Sequence, residues 1–397
     1  MLRTLVSRSR VPIAIAAVAA LQACSPSTTD LGGHTQPPPD TTSPPIASVV
    51  AAAHTCALTT AGAAYCWGYN ADVPGDVPVP RPTLIPAPAG VTFRSLSVSK
   101  VQDVTCAIAT DGAAYCWGVN SDGTLGDGTT ARHAAPMPVA GGLTFKSIAL
   151  GDVHACGLTT DGAAYCWGFS ANGAFGDGSF GQHLVPVPAE SGLSFDSIVA
   201  GYDLTCGLTT AGAAYCWGLG NAGQLGDNSN RSSALPVAVS GGLTFRSLVA
   251  GGRSVCGLTD GGKAYCWGDN FYGTVGDGTS GTEGGVQRRA APVAVAGDLA
   301  FTSLSAGYET MCGVTQSGAG YCWGYNAGAV GDGTLDHRST PMPVAGGLTF
   351  RTISSGTGYG CGVVTSSTVY CWGDNSGGGL GDGTFDSHPS PVPIRWP

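Results

Sequence analysis

Charge is scarce in this 397-residue chain, where Asp, Glu, Lys and Arg together make up 11% of the residues. Disordered chains combine high charge with few apolar residues, but 43% of this one is hydrophobic, so a packed core is expected. Seventeen basic residues against 26 acidic ones give a formal net charge of −9. With no basic stripe, the sequence excludes a nucleic-acid surface. Long apolar runs are missing as well. The stretch at 11–21 is too short to span a bilayer, which takes about 20 residues. No two cysteines have the C-x-x-C spacing of a zinc site, and the seven histidines form no Ser/His/Asp or metal-ligand pattern. No metal and no cofactor are expected.

The chain is rich in glycine, with 64 residues, and holds 15 cysteines. Both are placed periodically. The stretch at 206–218, CGLTTAGAAYCWG, recurs seven times, beginning at Cys56, Cys106, Cys156, Cys206, Cys256, Cys312 and Cys361. Nine residues always separate its two cysteines, and Trp-Gly always follows the second. The first five copies are 50 residues apart, and the next intervals are 56 and 49. A period near 50 marks a propeller or another array. The glycines fall at fixed places in each repeat, where turns need positive φ.

Within one repeat, FRSLVA at 245–250 alternates apolar and polar residues, the period of a half-buried strand. A second strand runs through Cys256 to Thr259, turns at Asp260-Gly261, and returns as Ala264-Tyr265-Cys266-Trp267. A long loop follows, ending in a Gly-Asp-Gly-Thr-like signal, and a Pro-Val segment at 292–295 closes the unit. Four antiparallel strands repeated seven times predict an all-β fold, a seven-bladed β-propeller of about 50-residue repeats. A linear β-solenoid is the alternative. The Pro-Val strand belongs at the outer edge of each blade, since proline cannot donate to an interior ladder. In the opposite arrangement it would be the inner strand, and residues 391–394 would complete the first blade.

With a three-residue hairpin loop, Thr59 faces Ala63 and Cys56 faces Cys66 directly. Directly opposed Cβ atoms lie about 4.5–5.5 Å apart, close to disulfide geometry. The same register pairs Cys106 with Cys116, Cys156 with Cys166, Cys206 with Cys216, Cys256 with Cys266, Cys312 with Cys322, and Cys361 with Cys371. Free buried thiols are the alternative. Cys24 stands outside these pairs.

Residues 1–23 read as an export signal, with Arg3, Arg8 and Arg10 ahead of the short apolar core. Leu21-Gln22-Ala23-Cys24 resembles the bacterial lipobox, with cleavage before Cys24 and lipid on its sulfur; a plain secretory signal is the alternative. Cleavage would make the chain three units more negative. Ser25 after the lipidated cysteine points to the outer membrane where the host has one. Residues 24–45 are Pro- and Thr-rich and non-periodic, the composition of a disordered tether. The propeller is expected over 46–397. An exported, lipid-anchored chain would sit in the cell envelope, an oxidising setting that favours disulfides.

The succession A-G-x-x-x-x-C-G-L-T-x-x-G-x-x-Y-C-W-G-x-N-x-x-G-x-L-G-D-G-T resembles the regulator-of-chromosome-condensation repeat over nearly all of 46–397. The first copy departs from it, with Gly75-Asp76-Val77 where the second has Gly126-Asp127-Gly128. The family's common His two residues before the first cysteine is kept at His54 and His154. The resemblance implies a propeller. The family's founding member is a nuclear guanine-nucleotide exchange factor, an activity not expected of an exported chain, which would not meet a cytosolic GTPase. The family also includes a secreted bacterial β-lactamase inhibitor, so an enzyme inhibitor is an alternative reading, and a polysaccharide-directed enzyme is a further one.

The Gly-Asp-Gly carboxylates at Asp127, Asp177, Asp277, Asp332 and Asp382 supply one ligand each, too few for calcium, and suit bonds to their own turns. Each Cys-Trp-Gly tryptophan suits packing between blades. Strand parity separates two faces. The hairpin turns and the crossovers between repeats share one, where the copies are nearly identical. The bends before each first cysteine and the long loops after Trp-Gly share the other, and vary. A scaffold with one variable face binds through it. The candidates there are Tyr202, Asp203, Arg253, Tyr308, Glu309 and Tyr359, because aromatic residues and Arg dominate interface energetics. An unidentified protein or glycan is the expected partner of a monomeric propeller, with no nucleic acid and no membrane contact except the lipid.

Overall fold

The computed structural model describes residues 44–69, 79–190, 192–281 and 287–396. The export signal, Cys24 and most of the tether fall outside these, as do Gly75-Asp76-Val77. The described residues form 28 β-strands in seven separate four-stranded sheets, each with its strands in chain order. The blades span 46–85, 93–138, 145–188, 195–238, 247–294, 301–343 and 350–393. The fourth blade shows the pattern, with strands Phe195–Gly201, Leu204–Thr209, Ala214–Gly218 and Ser233–Ala238, all antiparallel.

The first strand of every blade lines a central channel of about 280 Å³, flanked by Ala51, Val98, Leu150, Ala200, Ala250, Ala306 and Ser355. The proline-bearing strand is therefore outermost, where a missing N–H leaves no ladder bond unmade. The seventh blade is complete in itself, so no shared strand clasps the ring. Side chains join its ends instead. Arg351 donates to the Ile46 carbonyl (2.9 Å), the backbone N–H of Ala51 donates to Ser354 Oγ (2.9 Å), and Thr357 N–H reaches the Ala52 carbonyl (3.2 Å).

The hairpin register is the one the cysteine spacing demands. Cys206 opposes Cys216 and Thr209 N–H bonds the Ala213 carbonyl, and the pattern repeats from Cys56–Cys66 through Cys361–Cys371. All seven sulfur pairs lie at bonding distance, 2.03–2.14 Å, and are fully buried.

The tryptophan after each second cysteine is completely buried, and all but Trp117, whose Nε1 finds no acceptor among the described residues, bond the blade before. Trp217 Nε1 donates to the Ala174 carbonyl, Trp267 to Gln224, Trp323 to Thr274 and Trp372 to Ala329, all at 2.8–3.0 Å. Trp67 completes the circle with the Gly379 carbonyl of the seventh blade (2.9 Å). The indole thus satisfies its one donor while filling the gap between sheets. The glycine of each Leu-Gly-Asp signal explains the close approach. Gly226 has φ 69°, and a Cβ there would lie 2.7 Å from Trp267 Nε1, leaving no room for any other residue.

Candidate functional site

The two variable segments of each repeat meet on one face, as strand parity requires. A concavity of about 750 Å³ sits over blades 1, 2, 6 and 7, and its lining includes Tyr69, Lys100, Gln102, Tyr308, Thr357 and Asp374. A second cleft of about 160 Å³ lies between blades 5 and 6, lined by Arg253, Ser254, Asp269, Tyr272, Thr274, Tyr308 and Glu309. Tyr308 walls both.

Four of the six sequence candidates form this surface. The Arg253 guanidinium stacks over the Tyr202 ring, 5.2 Å from its centroid, a cation–π contact that holds both side chains in place. Arg253 itself is exposed, and Tyr202, Tyr308 and Glu309 are partly so. Burial raises the Glu309 carboxyl above its ordinary range, and Asp269 adds to this while Arg253 opposes it. Burial likewise raises Tyr308, helped by the charge of Asp152.

The other two candidates are buried, Asp203 bonded inward and Tyr359 contributing to the lining of the 750 Å³ concavity from a buried position. Asp203 is 5% exposed and accepts from Ser170 Oγ (2.6 Å) and Asn172 Nδ2 (2.5 Å), tying the fourth blade to the third. Tyr359 is 4% exposed, and its hydroxyl meets that of Thr55 at 2.8 Å across the ring seam. Residues of a short bend alternate between pointing inward and outward, and sequence position alone does not say which. His54 and His154 are buried in the same layer. His54 bonds Asp103 (3.1 Å) and Thr105 (2.8 Å), and His154 bonds Thr205 (3.0 Å).

Sequence reasoning missed two features. The first is an aromatic cluster from the long loops, in which Tyr272 packs edge-on against Tyr325 (5.0 Å) and His337 (4.8 Å), with Phe271 beside it. Aromatic residues shortly after Trp-Gly at 271, 272 and 325 were the available signal. The second is the bend of the second blade. From Phe93 to Cys106 the chain is two residues longer than from Phe145 to Cys156, and the excess carries Lys100 over the channel mouth. Lys100 Nζ donates to the Ala250 carbonyl of the fifth blade (2.7 Å), and Thr357 Oγ1 of the seventh donates to the Lys100 carbonyl (2.6 Å). Burial lowers the Lys100 ammonium to about 8, against the opposing pull of Asp152.

Asp152 is 2% exposed, and neither of its carboxylate oxygens finds a donor among the described residues. Burial pushes its carboxyl up to about 6, with Lys100 opposing and Asp203 assisting. The Gly-Asp-Gly carboxylates behave as expected of turn residues. Asp332 accepts from Thr334 N–H (3.0 Å) and from Arg338 Nε (2.7 Å). Burial works against its charge, but these bonds outweigh it and hold the carboxyl below its usual range. One group of possible metal ligands stands out among the described residues, His54 with Cys56 and Cys66, but its sulfurs are bonded to each other and cannot serve as thiolates.

Residues 73–397 match the family model of the RCC1-like domain, and residues 52–72 match that of the regulator of chromosome condensation (RCC1) repeat. The chain belongs to the RCC1 family. No curated protein matches it. Among solved structures of the RCC1 fold, Prp20p from Saccharomyces cerevisiae is similar with a TM-score of 0.74, at 22% identity, covering 85% of this chain and 87% of that one. Human WBSCR16 gives a TM-score of 0.72 at 18% identity, covering 81% and 86%. The CRINKLY WD40 ectodomain of the Arabidopsis thaliana receptor kinase ACR4 gives 0.53 at 18% identity, covering 83% and 95%. At these identities the likeness establishes the RCC1-type propeller fold.

Proposed function

We propose that this RCC1-family propeller is a lipid-anchored scaffold of the cell envelope that binds a protein or glycan through its variable-loop face. The observation that carries this reading is the cluster of Tyr202, Arg253, Tyr308 and Glu309 around two adjoining concavities. Half-exposed tyrosines and a stacked arginine are the side chains that contribute most per contact when an interface buries them. Export and the anchor are supported by residues 1–25, with the lipobox-like Leu21-Gln22-Ala23-Cys24, and fourteen paired cysteines suit an oxidising compartment. No guanine-nucleotide exchange and no catalysis belong to the proposal, and in two-membraned hosts the anchor lies in the outer membrane. Yeast Prp20 was solved with Kap60 bound, and the binding of Prp20p to Gsp1p and histones has been described. Those partners belong to that protein; the precedent supports a protein partner.

Arg253→Ala combined with Tyr308→Ala is expected to lower capture of partners from an envelope extract at least tenfold, the effect of losing about 1.4 kcal/mol or more, with the melting temperature unchanged. Equal loss from Asp111→Ala with Lys263→Ala, on the hairpin face, contradicts the assignment.

A further inference from the structure

One bend position decides how the seam between neighbouring blades is filled. Two residues before the first cysteine, the chain carries histidine at 54 and 154, leucine at 204 and tyrosine at 359, but serine at 254. This side chain reaches toward the following blade. His54 bonds Asp103 (3.1 Å) and Thr105 (2.8 Å), His154 bonds Thr205 (3.0 Å), and Tyr359 meets Thr55 across the ring seam. Ser254 is too short to cross, and the 160 Å³ cleft between the fifth and sixth blades lies beside it. Ser254 is 1% exposed and lines that cleft, yet its hydroxyl bonds none of the described residues.

The acidic half of the seam is kept. Three residues before the first cysteine of the second, fourth and sixth blades stand Asp103, Asp203 and Glu309. His54 engages Asp103, and the charge of Asp203 acts on His154 while Asn172 Nδ2 donates to its carboxylate (2.5 Å). Glu309 has neither kind of partner. Ser254 replaces the histidine, and Tyr272 stands five residues after Trp267, where Asn172 follows Trp167. Among the described residues no donor reaches the Glu309 carboxylate, which is half-buried at the cleft wall. Asp269 shares the cleft, and the one cation lining it, Arg253, is exposed and stacked over Tyr202. Two carboxylates brought together in a half-buried site repel one another, which a bound cation relieves. The tyrosine walls, Tyr272 and Tyr308, suit an organic cation.

We propose that the seam between the fifth and sixth blades is a receptor for one basic side chain of a protein partner, which fills the space beside Ser254 and donates to Glu309. The inference rests on the proposed function in taking the variable face to meet a partner, and it names the chemistry of the contact. At 160 Å³ the cleft is well below the ~300–1,000 Å³ typical of small-molecule sites. It holds a single side chain rather than a sugar chain, which favours a protein over a glycan.

The full-length protein is titrated at pH 7 with butylammonium and propylguanidinium, which mimic lysine and arginine, and with uncharged butanol. Binding is read by saturation-transfer NMR. At least one of the two cations is expected to bind about tenfold or more tightly than butanol, and Glu309→Gln to remove that advantage. Ser254→His, which fills the seam as His54 and His154 fill theirs, is expected to abolish cation binding. Cations that bind no better than butanol, or an advantage that either folded variant leaves unchanged, overturn the inference. Glu309→Gln keeps the size of the side chain and decides the matter even where Ser254→His does not fold. The probes are small, so the result is independent of whether a partner is captured from an extract. A partner captured equally well by Ser254→His would overturn this inference and spare the proposed function.

Discussion

Replacing Cys206 and Cys216 together by alanine is expected to lower the unfolding free energy by about 3 kcal/mol, the loop-closure entropy of a ten-residue ring. The magnitude follows from the unfolded chain, which regains the freedom the bond removes. Alanine leaves no unsatisfied hydroxyl in a site where both sulfurs are fully buried. Urea titration of the variant against the parent reads the difference as a lower midpoint at unchanged slope. Because each staple joins strands of one blade and none joins two blades, the other six bonds stay intact and the ring keeps its fold. A variant as stable as the parent would show that the hairpin register alone, set by Cys206 opposite Cys216 and Thr209 bonded to Ala213, fixes the blade.

Asp152→Asn is expected to stabilise the protein at pH 8 and to leave it nearly unchanged at pH 4. The folded-state carboxyl is raised to about 6, above its unfolded value near 4. Between those values the unfolded chain releases a proton that the folded chain retains, so stability falls as pH rises through the window and stays low above it. A shift of two units corresponds to an order of 2–3 kcal/mol, and loss of the favourable pull on Lys100 reduces what the variant recovers. Thermal melts of both proteins at pH 4, 6 and 8 provide the measurement. A variant that is destabilised equally at all three would mean that Asp152 is held by bonds worth more than its buried charge costs.

The fold was legible because it depends on local chemistry repeated seven times. Nine residues between cysteines fix a hairpin register, Pro-Val dipeptides favour an outer strand, and Trp-Gly with Leu-Gly-Asp gives the contact between neighbouring blades. Each of these is satisfied within one repeat or between adjacent ones. Ring closure by Arg351, Ser354, Trp67 and Gly379 follows from the same contacts applied once more.

The site was only half legible. Parity placed the variable loops on one face, and Tyr202, Arg253, Tyr308 and Glu309 lie at its surface. The direction of each bend residue depends on how the bend packs against its neighbour, which is why Asp203 turned inward to Ser170 and Tyr359 to Thr55. The role of Lys100 depends on a two-residue difference in bend length together with an acceptor 150 residues away, the Ala250 carbonyl. No local pattern announces such a pairing. The long-loop cluster of Tyr272, Tyr325 and His337 likewise assembles from two different repeats.

The central claim is that this propeller engages its partner through the variable face. A photoreactive residue placed at Tyr202 or at Tyr272, and in parallel at Asp111 or Lys263 on the opposite face, tests it in intact cells. The first pair is expected to yield a discrete cross-linked species that Arg253→Ala with Tyr308→Ala removes, and the second pair is expected to yield none. Cross-links from Asp111 or Lys263 alone, with none from the variable face, would contradict the account.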